Sequence, residues 1–338
     1  MNKGDIPRIS AKSENNGILG YFDSEDIASS RHFENFISVN FFGTDGGIFY
    51  HPYKASVEMK VHTLKFSKFH SFNEYIGNFV TCVLKPTLKG FDYGNQLSSS
   101  KLKNMDFKIY LPKKDNLIDF SFINQFTSKV FEDRLETIES YLTDNDMNHT
   151  DLTNDERNAL NKLKSIDFKE FKVTAIFTIK NTGNILSSWI KENSGTTPYL
   201  CASAANNSVS SYIQYDEDYL DNGNCVFIGG KTFVVTYQKD DFFSNDSHNL
   251  TLKLKEEEHR NKICQLFLAT CVKNSLGHKY SWGDSISSSK IKKDSISLPV
   301  KDDQPDYEFM ENYISAIQKL TVKKLISYLT EKKSKLAS

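Results

Sequence analysis

SSSKLKNMDFKIYLP, Ser98–Pro112, is answered far downstream by SSSKIKKDSISLP, Ser287–Pro299. From each Leu-Pro pair onward the two stretches keep one register, 187 residues apart. Asp119 aligns with Asp306, Phe122 with Phe309, and the SYLT at Ser140–Thr143 with the SYLT at Ser327–Thr330. Upstream the match continues: TCV at Thr81–Val83 recurs at Thr270–Val272. PRISAKSENNGILGYF (Pro7–Phe22) resembles PYLCASAANNSVSSYI (Pro198–Ile213), which lays Asn15 and Asn16 on Asn206 and Asn207. The period is too long for a solenoid, whose units run about 20–50 residues. Matched blocks in one order point instead to two tandem copies of one domain, which 338 residues accommodate.

Composition narrows the class. The chain is 38% hydrophobic and 13% aromatic, enough for two cores. No signal-peptide pattern and no membrane-spanning apolar run occurs, and a reducing cytoplasm fits the cysteines. A formal net charge of −1 argues against DNA binding by bulk positive charge but leaves local basic patches open. Five cysteines without a CxxC argue against a zinc site or a disulfide framework. Cys82 and Cys271, in matched apolar runs, are expected to be buried structural thiols.

Each copy divides into a strand-rich part and a helix. NFISVNFF, GGIFY, VHTLKF and FVTCVL in the first copy, and NCVFIG, TFVVTYQ, LTLKL and LFLATCV in the second, have the β-branched and aromatic content of strands. Beyond each Leu-Pro, apolar residues recur mostly three to five apart, predicting long helices over 119–143 and 306–333 capped by Asp119 and Asp306. Two such stripes can pack together as a two-helix coiled coil, or each can pack on its own β-domain. The fold class expected is α+β. Its parts are a first β-rich domain (1–117), a first long helix (118–145), a connector (146–166), a second β-rich domain (167–303) and a second long helix (304–338). The polar connector carries a capped short helix from about Asn154, and EEEHR (Glu256–Arg260) reads as a solvated loop.

Catalytic motifs are missing. There is no Gly-rich phosphate loop, no HExxH, no GxSxG and no N/D-P-P-Y/F of amino-methyltransferases. Pro305-Asp306 lacks the E-x-K of a metal-nuclease core, and the eight His do not cluster at ligand spacing. A Cys–His nucleophile pair stays open on sequence alone.

The order of elements resembles a known family. A module opening with PY-(L/V)-x-x-S-x-x-NN (PYLCASAANN in the second copy, answered by PRISAKSENN in the first), continuing through YSWGDSISSSKIKKDSISLP (Tyr280–Pro299) or its counterpart ending at Pro112, and closing in an amphipathic helix, resembles the DNA-specificity subunits of type I restriction–modification systems. It resembles equally the specificity chains of type II systems that act at bipartite sites. The resemblance implies two target-recognition domains, each reading half of a split site, with the helices packed antiparallel as a coiled-coil spacer. It implies a non-catalytic chain without its own cofactor, S-adenosylmethionine belonging to a partner subunit. The partners implied are double-stranded DNA, methyltransferase subunits and a restriction subunit, with no membrane. One departure stands out. FKEFKVTAIFTIKNTGNILSSWIKENSGTT precedes the second Pro motif, whereas the first copy starts almost at that motif, so an opening strand and helix have no counterpart there. Truncation, completion by another polypeptide and adaptation of the first domain are the three readings.

Base reading needs paired donors and acceptors. Arg8, Lys12, Asn15, Asn16, Tyr199, Asn206 and Asn207 lie in matched loop-like stretches, although Asn-Asn-Gly also suits a tight turn. His51, Lys60, Lys231 and Gln238, along with Lys54, His62, Tyr237 and Lys239, lie where the copies diverge, as residues reading different half-sites should. Ser99, Ser100 and Lys101, matched by Ser288, Ser289 and Lys290, suit a shared task such as holding phosphates, with Lys279 nearby. A capped turn is the competing reading of SSSK. A duplicated protein-interaction scaffold and a hydrolase are the competing functions.

Overall fold

The computed structural model describes residues 3–25, 27–42, 47–66, 73–92 and 94–337. Two compact units divide the chain, Met1–Leu142 with Leu329–Ser338, and Thr143–Tyr328.

In the first unit β1 (Lys3–Ile9) pairs antiparallel with β2 (Ile18–Phe22) and parallel with β6 (Ala55–Val57), which pairs with β3 (Arg31–Phe33). A second sheet has β4 (Phe36–Asn40) between β5 (Ile48–His51) and β7 (Val61–Leu64). Gly46, at the head of the expected GGIFY strand, lies outside the described residues. Helix α1 (Glu74–Thr87) packs on β5, followed by α2 (Ser99–Asn104), the hairpin β8 (Lys113–Lys114) and β9 (Leu117–Ile118), and the long α3 (Phe120–Asp144).

The second unit begins with α4 (Asn154–Lys162), then β10 (Phe168–Lys172), the single turn α5 (Val173–Ile176) and β11 (Phe177–Asn181). β12 (Thr197–Leu200) pairs antiparallel with β13 (Val209–Ile213) and parallel with β16 (Phe243–Ser244). The larger sheet runs β11–β17–β14–β15, with β14 at Cys225–Ile228, β15 at Val235–Gln238 and β17 at Leu250–Leu254. Helix α6 (Lys262–Leu276) packs on β15 and on β18 (Ser295–Lys301); α7 (Ser288–Ile291), β19 (Gln304–Pro305) and α8 (Tyr307–Ala337) complete the order.

The duplication is therefore structural, and the fold is α+β in both units. Asn35 and Asn224 both take left-handed backbone before β4 and β14, and accept hydrogen bonds from Tyr50 (2.8 Å) and Tyr237 (3.1 Å). Asp119 and Asp306 cap α3 and α8 as expected, each accepting an N–H three residues on at 2.9 Å.

Two expected strands are helices. FVTCVL lies in α1 and LFLATCV in α6, each started by an Asn whose side chain accepts the N–H three residues on, at 3.0 Å. Short apolar runs do not distinguish strand from buried helix by periodicity, and α6 buries residues on nearly every side. The caps Asn73 and Asn261 align the helices one residue away from the TCV match, so Cys82 corresponds to Thr270. Both are exposed. Cys82 is thus not a buried thiol. Cys225, Cys264 and Cys271 are, and burial pushes their pKa values up to about 12, which leaves them protonated.

The long helices pack first on their own domains. Ile123 joins the first unit's core, and Phe126 and Phe131 meet Phe79 and Tyr75 edge-on. Phe309 and Met310 join the second core beside Phe267. The connector helix is also structural. Thr153 and Glu156 form a capping box. Glu156, 4% exposed, accepts from Ser315 at 2.6 Å and pairs with Lys319 of α8 at 2.9 Å. Burial raises its pKa, but these bonds outweigh burial and hold it below the ordinary value.

Glu156→Ala removes the cap partner and leaves Lys319 without its carboxylate. It should destabilise the second unit by about 2–4 kcal/mol. Both tryptophans, Trp189 and Trp282, lie in this unit, so urea denaturation followed by their fluorescence reads the effect. An unchanged midpoint would show that Glu156 does not hold α4 to α8.

Candidate nucleic-acid interface

Parallel pairing assembles the candidate site. In the second unit Leu200 sits opposite Ser244, and the Asn245 N–H donates to Leu200 O at 3.1 Å. The loops after β12 and after β16 therefore leave the sheet side by side. The loop 201–208 is joined to the β14–β15 turn by a Thr232 hydroxyl donating to Ala202 O at 2.8 Å. That turn is held to the 245–249 loop by Gly230 N–H on Asn249 Oδ1 (2.9 Å) and by a Lys231–Asp246 ion pair (3.0 Å). The 280–290 loop joins through Ile286 N–H on Gly230 O (3.2 Å).

The first unit repeats the plan. Glu58 N–H donates to Ile9 O at 3.0 Å, Phe41 N–H to Lys60 O at 3.1 Å, and Leu97 N–H to Phe41 O at 2.8 Å. Loops 10–17, 58–60 and 91–101 and the chain leaving β4 thus form one cluster.

The asparagine pairs are turns. Asn15, Asn16 and Gly17 have φ of 49°, 51° and 73°, and Asn206, Asn207 and Ser208 have 46°, 51° and 70°. Three successive left-handed residues suit Asn and Gly, which adopt that backbone at little cost. Asn15 and Asn206 each donate to the carbonyl three residues on, at 3.4 and 3.0 Å. Both pairs remain solvent-exposed.

SSSK caps a short helix in both copies. Ser98 and Ser287 accept the N–H groups of Lys101 (3.2 Å) and Lys290 (3.3 Å). The lysines fasten the preceding loop. Lys101 donates to Asn95 at 2.7 Å with its ammonium 5.9 Å from the Phe91 ring, and Lys290 donates to Asp284 and lies 6.0 Å from Tyr280. Lys279 pairs with Asp294 at 3.0 Å. Ser99, Ser100, Ser288 and Ser289 lie in the first turns of these helices.

Other candidates divide by exposure. Lys12 and Asn16 are exposed, with no side-chain hydrogen bond or ion pair among the described residues. Lys60 is exposed, its ammonium 5.0 Å from the Phe42 ring, and Lys231 is half-exposed. Arg8 pairs with Glu58 at 3.3 Å. Tyr199 is buried, donates to Ile185 O at 2.7 Å, and burial raises its pKa to about 12. Gln238 is buried and donates to Asn207 O (2.9 Å) and Thr236 Oγ1 (2.8 Å). His51, fully buried at the matched position, shares hydrogen bonds with Ser38 (2.8 Å) and Tyr53 (3.2 Å). Sequence reasoning missed Asn249 and Asp246, which tie the loops together, and Trp282, 75% exposed on the 280–290 loop. Trp282 sat in plain view within the repeated motif. No group of three or more His, Cys, Asp or Glu among the described residues could hold a metal, and no helix there is long and apolar enough to cross a membrane.

Two copies of one α+β module, each gathering polar loops into one cluster and each leading into a long helix, define a tandem-domain protein. The family described as Type I restriction modification DNA specificity domain matches residues 1–140 and again 165–328. The chain belongs to this family, and is a non-catalytic specificity subunit of a restriction–modification system. It is 27% identical over 260 residues to the specificity subunit S.BcgI of a type II restriction enzyme from Heyndrickxia coagulans, covering 76% of this chain and 69% of that one. The type I S subunit from M. genitalium is 14% identical, with a TM-score of 0.49 over 100% of this chain and 88% of that one. The HsdS subunit from Thermoanaerobacter tengcongensis is 13% identical, with a TM-score of 0.33 over 93% of this chain and 77% of that one.

Burial lowers the His51 pKa to about 4. The unfolded chain takes up this proton near pH 6.5, so the stability present above that pH is lost as pH falls toward 4. The first unit should lose about 2 kcal/mol through this group between pH 7 and pH 5. His51→Gln, the residue at the matched position 238, should remove that slope. Hydrogen exchange of the β4 and β5 amides at both pH values measures it, and an equal loss in the variant would assign the slope to another group.

Proposed function

We propose that this specificity subunit reads a bipartite DNA site in the cytoplasm, one half through each loop cluster, and docks methyltransferase subunits that bind S-adenosylmethionine. The observation that carries the reading is the doubled loop cluster: one backbone plan, presented twice, with different side chains on it. Lys12, Asn16 and Lys60 in the first cluster, and Asn206 and Lys231 in the second, are the exposed groups best able to meet base edges. His51, Tyr199 and Gln238 are assigned to the support of those loops, since each is buried and hydrogen-bonded within its domain. The SSSK lysines hold the preceding loops in shape, and their ammonium groups can lie near phosphates.

The experiment is methylation-site sequencing with the reconstituted complex. Lys12→Ala with Asn16→Ala should relax one half-site and Lys231→Ala the other, each lost base contact costing about 1–3 kcal/mol. A variant in one domain that altered both halves equally would remove the two-reader assignment.

The long helices are proposed as the antiparallel spacer between readers. Supporting this, Lys333 of α8 pairs with Glu139 of α3, and Leu336 shares a shallow pocket with Leu135 and Glu132. The order of these contacts along Leu329–Ala337 supports an antiparallel course. At 1.5 Å per residue α3 is roughly 37 Å long, close to one DNA turn of about 34–36 Å. Four residues inserted after Thr143 add roughly 6 Å, which should widen the gap between half-sites by about one or two base pairs. An unchanged gap with full activity would exclude the spacer role.

A further inference from the structure

One aromatic side chain of the second loop cluster has no structural task. Trp282 is 75% exposed and makes no hydrogen bond or ring contact among the described residues. It stands on a two-residue turn closed by backbone on both sides: Ser281 N–H donates to Asp284 O at 3.2 Å and Asp284 N–H to Ser281 O at 3.1 Å. Lys290 holds Asp284 and also donates to Ser285 O at 2.8 Å. Tyr280, just before the turn, is buried with its ring 5.4 Å from that of Phe233 and donates to Asp294. Ile286, just after it, is anchored on Gly230. Both stems are thus fixed to the domain, while the space beside Gly283 is open. An indole held out on a braced turn is unfavourably hydrated, and little conformational entropy is lost when something covers it.

The first copy repeats this turn. Phe91, Asn95, Leu97 and Lys101 stand 189 residues before Tyr280, Asp284, Ile286 and Lys290. Asp92 N–H donates to Asn95 O at 3.3 Å, as Ser281 does to Asp284. Lys101 crosses to Asn95 beside the Phe91 ring, as Lys290 crosses to Asp284 beside Tyr280. In that register Trp282 falls on Tyr93, which lies outside the described residues, and Gly283 on Gly94. An isolated exposed aromatic is ordinary on a protein surface. A braced turn whose sequence keeps an aromatic before glycine in both copies is not, and it suits a task that both half-sites share.

The neighbours of Trp282 indicate what covers it. Gly230, which anchors Ile286, precedes the half-exposed Lys231, and the same hairpin turn is tied to the 201–208 loop through Thr232. Trp282 therefore belongs to the cluster assigned above to DNA. Every base has a π face, so an aromatic that stacks on one binds without selecting it. Apolar side chains that enter at a base step partly unstack it and gain such a face. We propose that Trp282 stacks on a base at an opened step of the second domain's half-site and grips DNA without reading its sequence, a role that rests on the DNA-reading function proposed above.

The test uses the full chain reconstituted with its methyltransferase subunits. A labelled duplex carrying the site found by methylation-site sequencing is titrated by fluorescence anisotropy. Trp282→Ala should weaken binding about tenfold or more, the loss expected of one base–aromatic stack. The sites methylated by that variant complex should keep their sequence in both halves. Trp282→Phe should restore most of the affinity and Trp282→Leu should not, because stacking needs a ring. Fluorotryptophan placed only in the specificity chain, with Trp189→Phe, leaves residue 282 as its one labelled indole. The fluorine NMR signal should move when the duplex is added. Tight binding with that signal unmoved, or with Trp282→Ala equal to the parent, would overturn the stacking role and leave the two readers standing. An altered half-site in Trp282→Ala would overturn it too, by making Trp282 a reader of sequence. Failure of the parent complex to bind the duplex would remove the DNA-reading function and the stacking with it.

Discussion

The parallel pairing of β12 with β16, and of β1 with β6, is the constraint on which the rest of each domain depends. It joins residues more than forty positions apart, and parallel strands cannot be joined by a tight turn. The intervening chain must therefore leave, build other structure and return. What it builds is the hairpin β14–β15 or β4–β5, whose strand packs under α6 or α1. Because the paired strands run the same way, their ends emerge together, and the loops that follow Leu200 and Ser244 lie side by side. The SSSK loop then closes on the hairpin by backbone hydrogen bonds to Gly230 and Phe41, and the hairpin is tied to the paired ends by Phe41 in one domain and by Thr232 and Asn249 in the other.

The closures that recur in both domains, from Leu200 and Ile9 and from Gly230 and Phe41, are backbone hydrogen bonds, which explains how two domains keep one loop arrangement while differing in side chains. Backbone donors and acceptors do not depend on residue identity. The side-chain closures that repeat in kind are few: Asn35 and Asn224 under the tyrosines, Asn73 and Asn261 at the helix caps, Lys101 and Lys290 across their loops. The exposed positions between them, such as Lys12 and Lys231, carry no such duty beyond a single ion pair at Lys231. Variation there alters what the surface presents without altering the cluster beneath it.

Several features were legible in the sequence because their causes are local. The Asp caps of α3 and α8 and the capping box at Thr153–Glu156 each depend on neighbouring residues only, whereas in the expected solvated loop Glu256–Arg260 only the three glutamates are exposed and His259 is held by Glu311. LFLATCV was misleading because a helix buried on most sides loses its 3.6-residue signature, and FVTCVL because six residues are too short to show the one face that α1 buries. Only the cap asparagines, reached through structure, exposed the one-residue slip that separates Cys82 from Cys271. Among candidate site residues, exposure divided what composition could not. Gln238 and Lys231 looked alike as readers, yet one lies inside the domain and the other outside it.

The sequence by itself determined that this protein is one module used twice, ending each time in a long capped helix. Repetition and periodicity are written along the chain and need no third dimension. The tertiary structure alone decided which polar residues meet, because the loop cluster is assembled by strand pairings between distant segments. It alone decided, too, that His51 and Gln238 lie inside their domains. Burial is a property of what surrounds a side chain, and those surroundings come from residues that no local stretch of sequence contains.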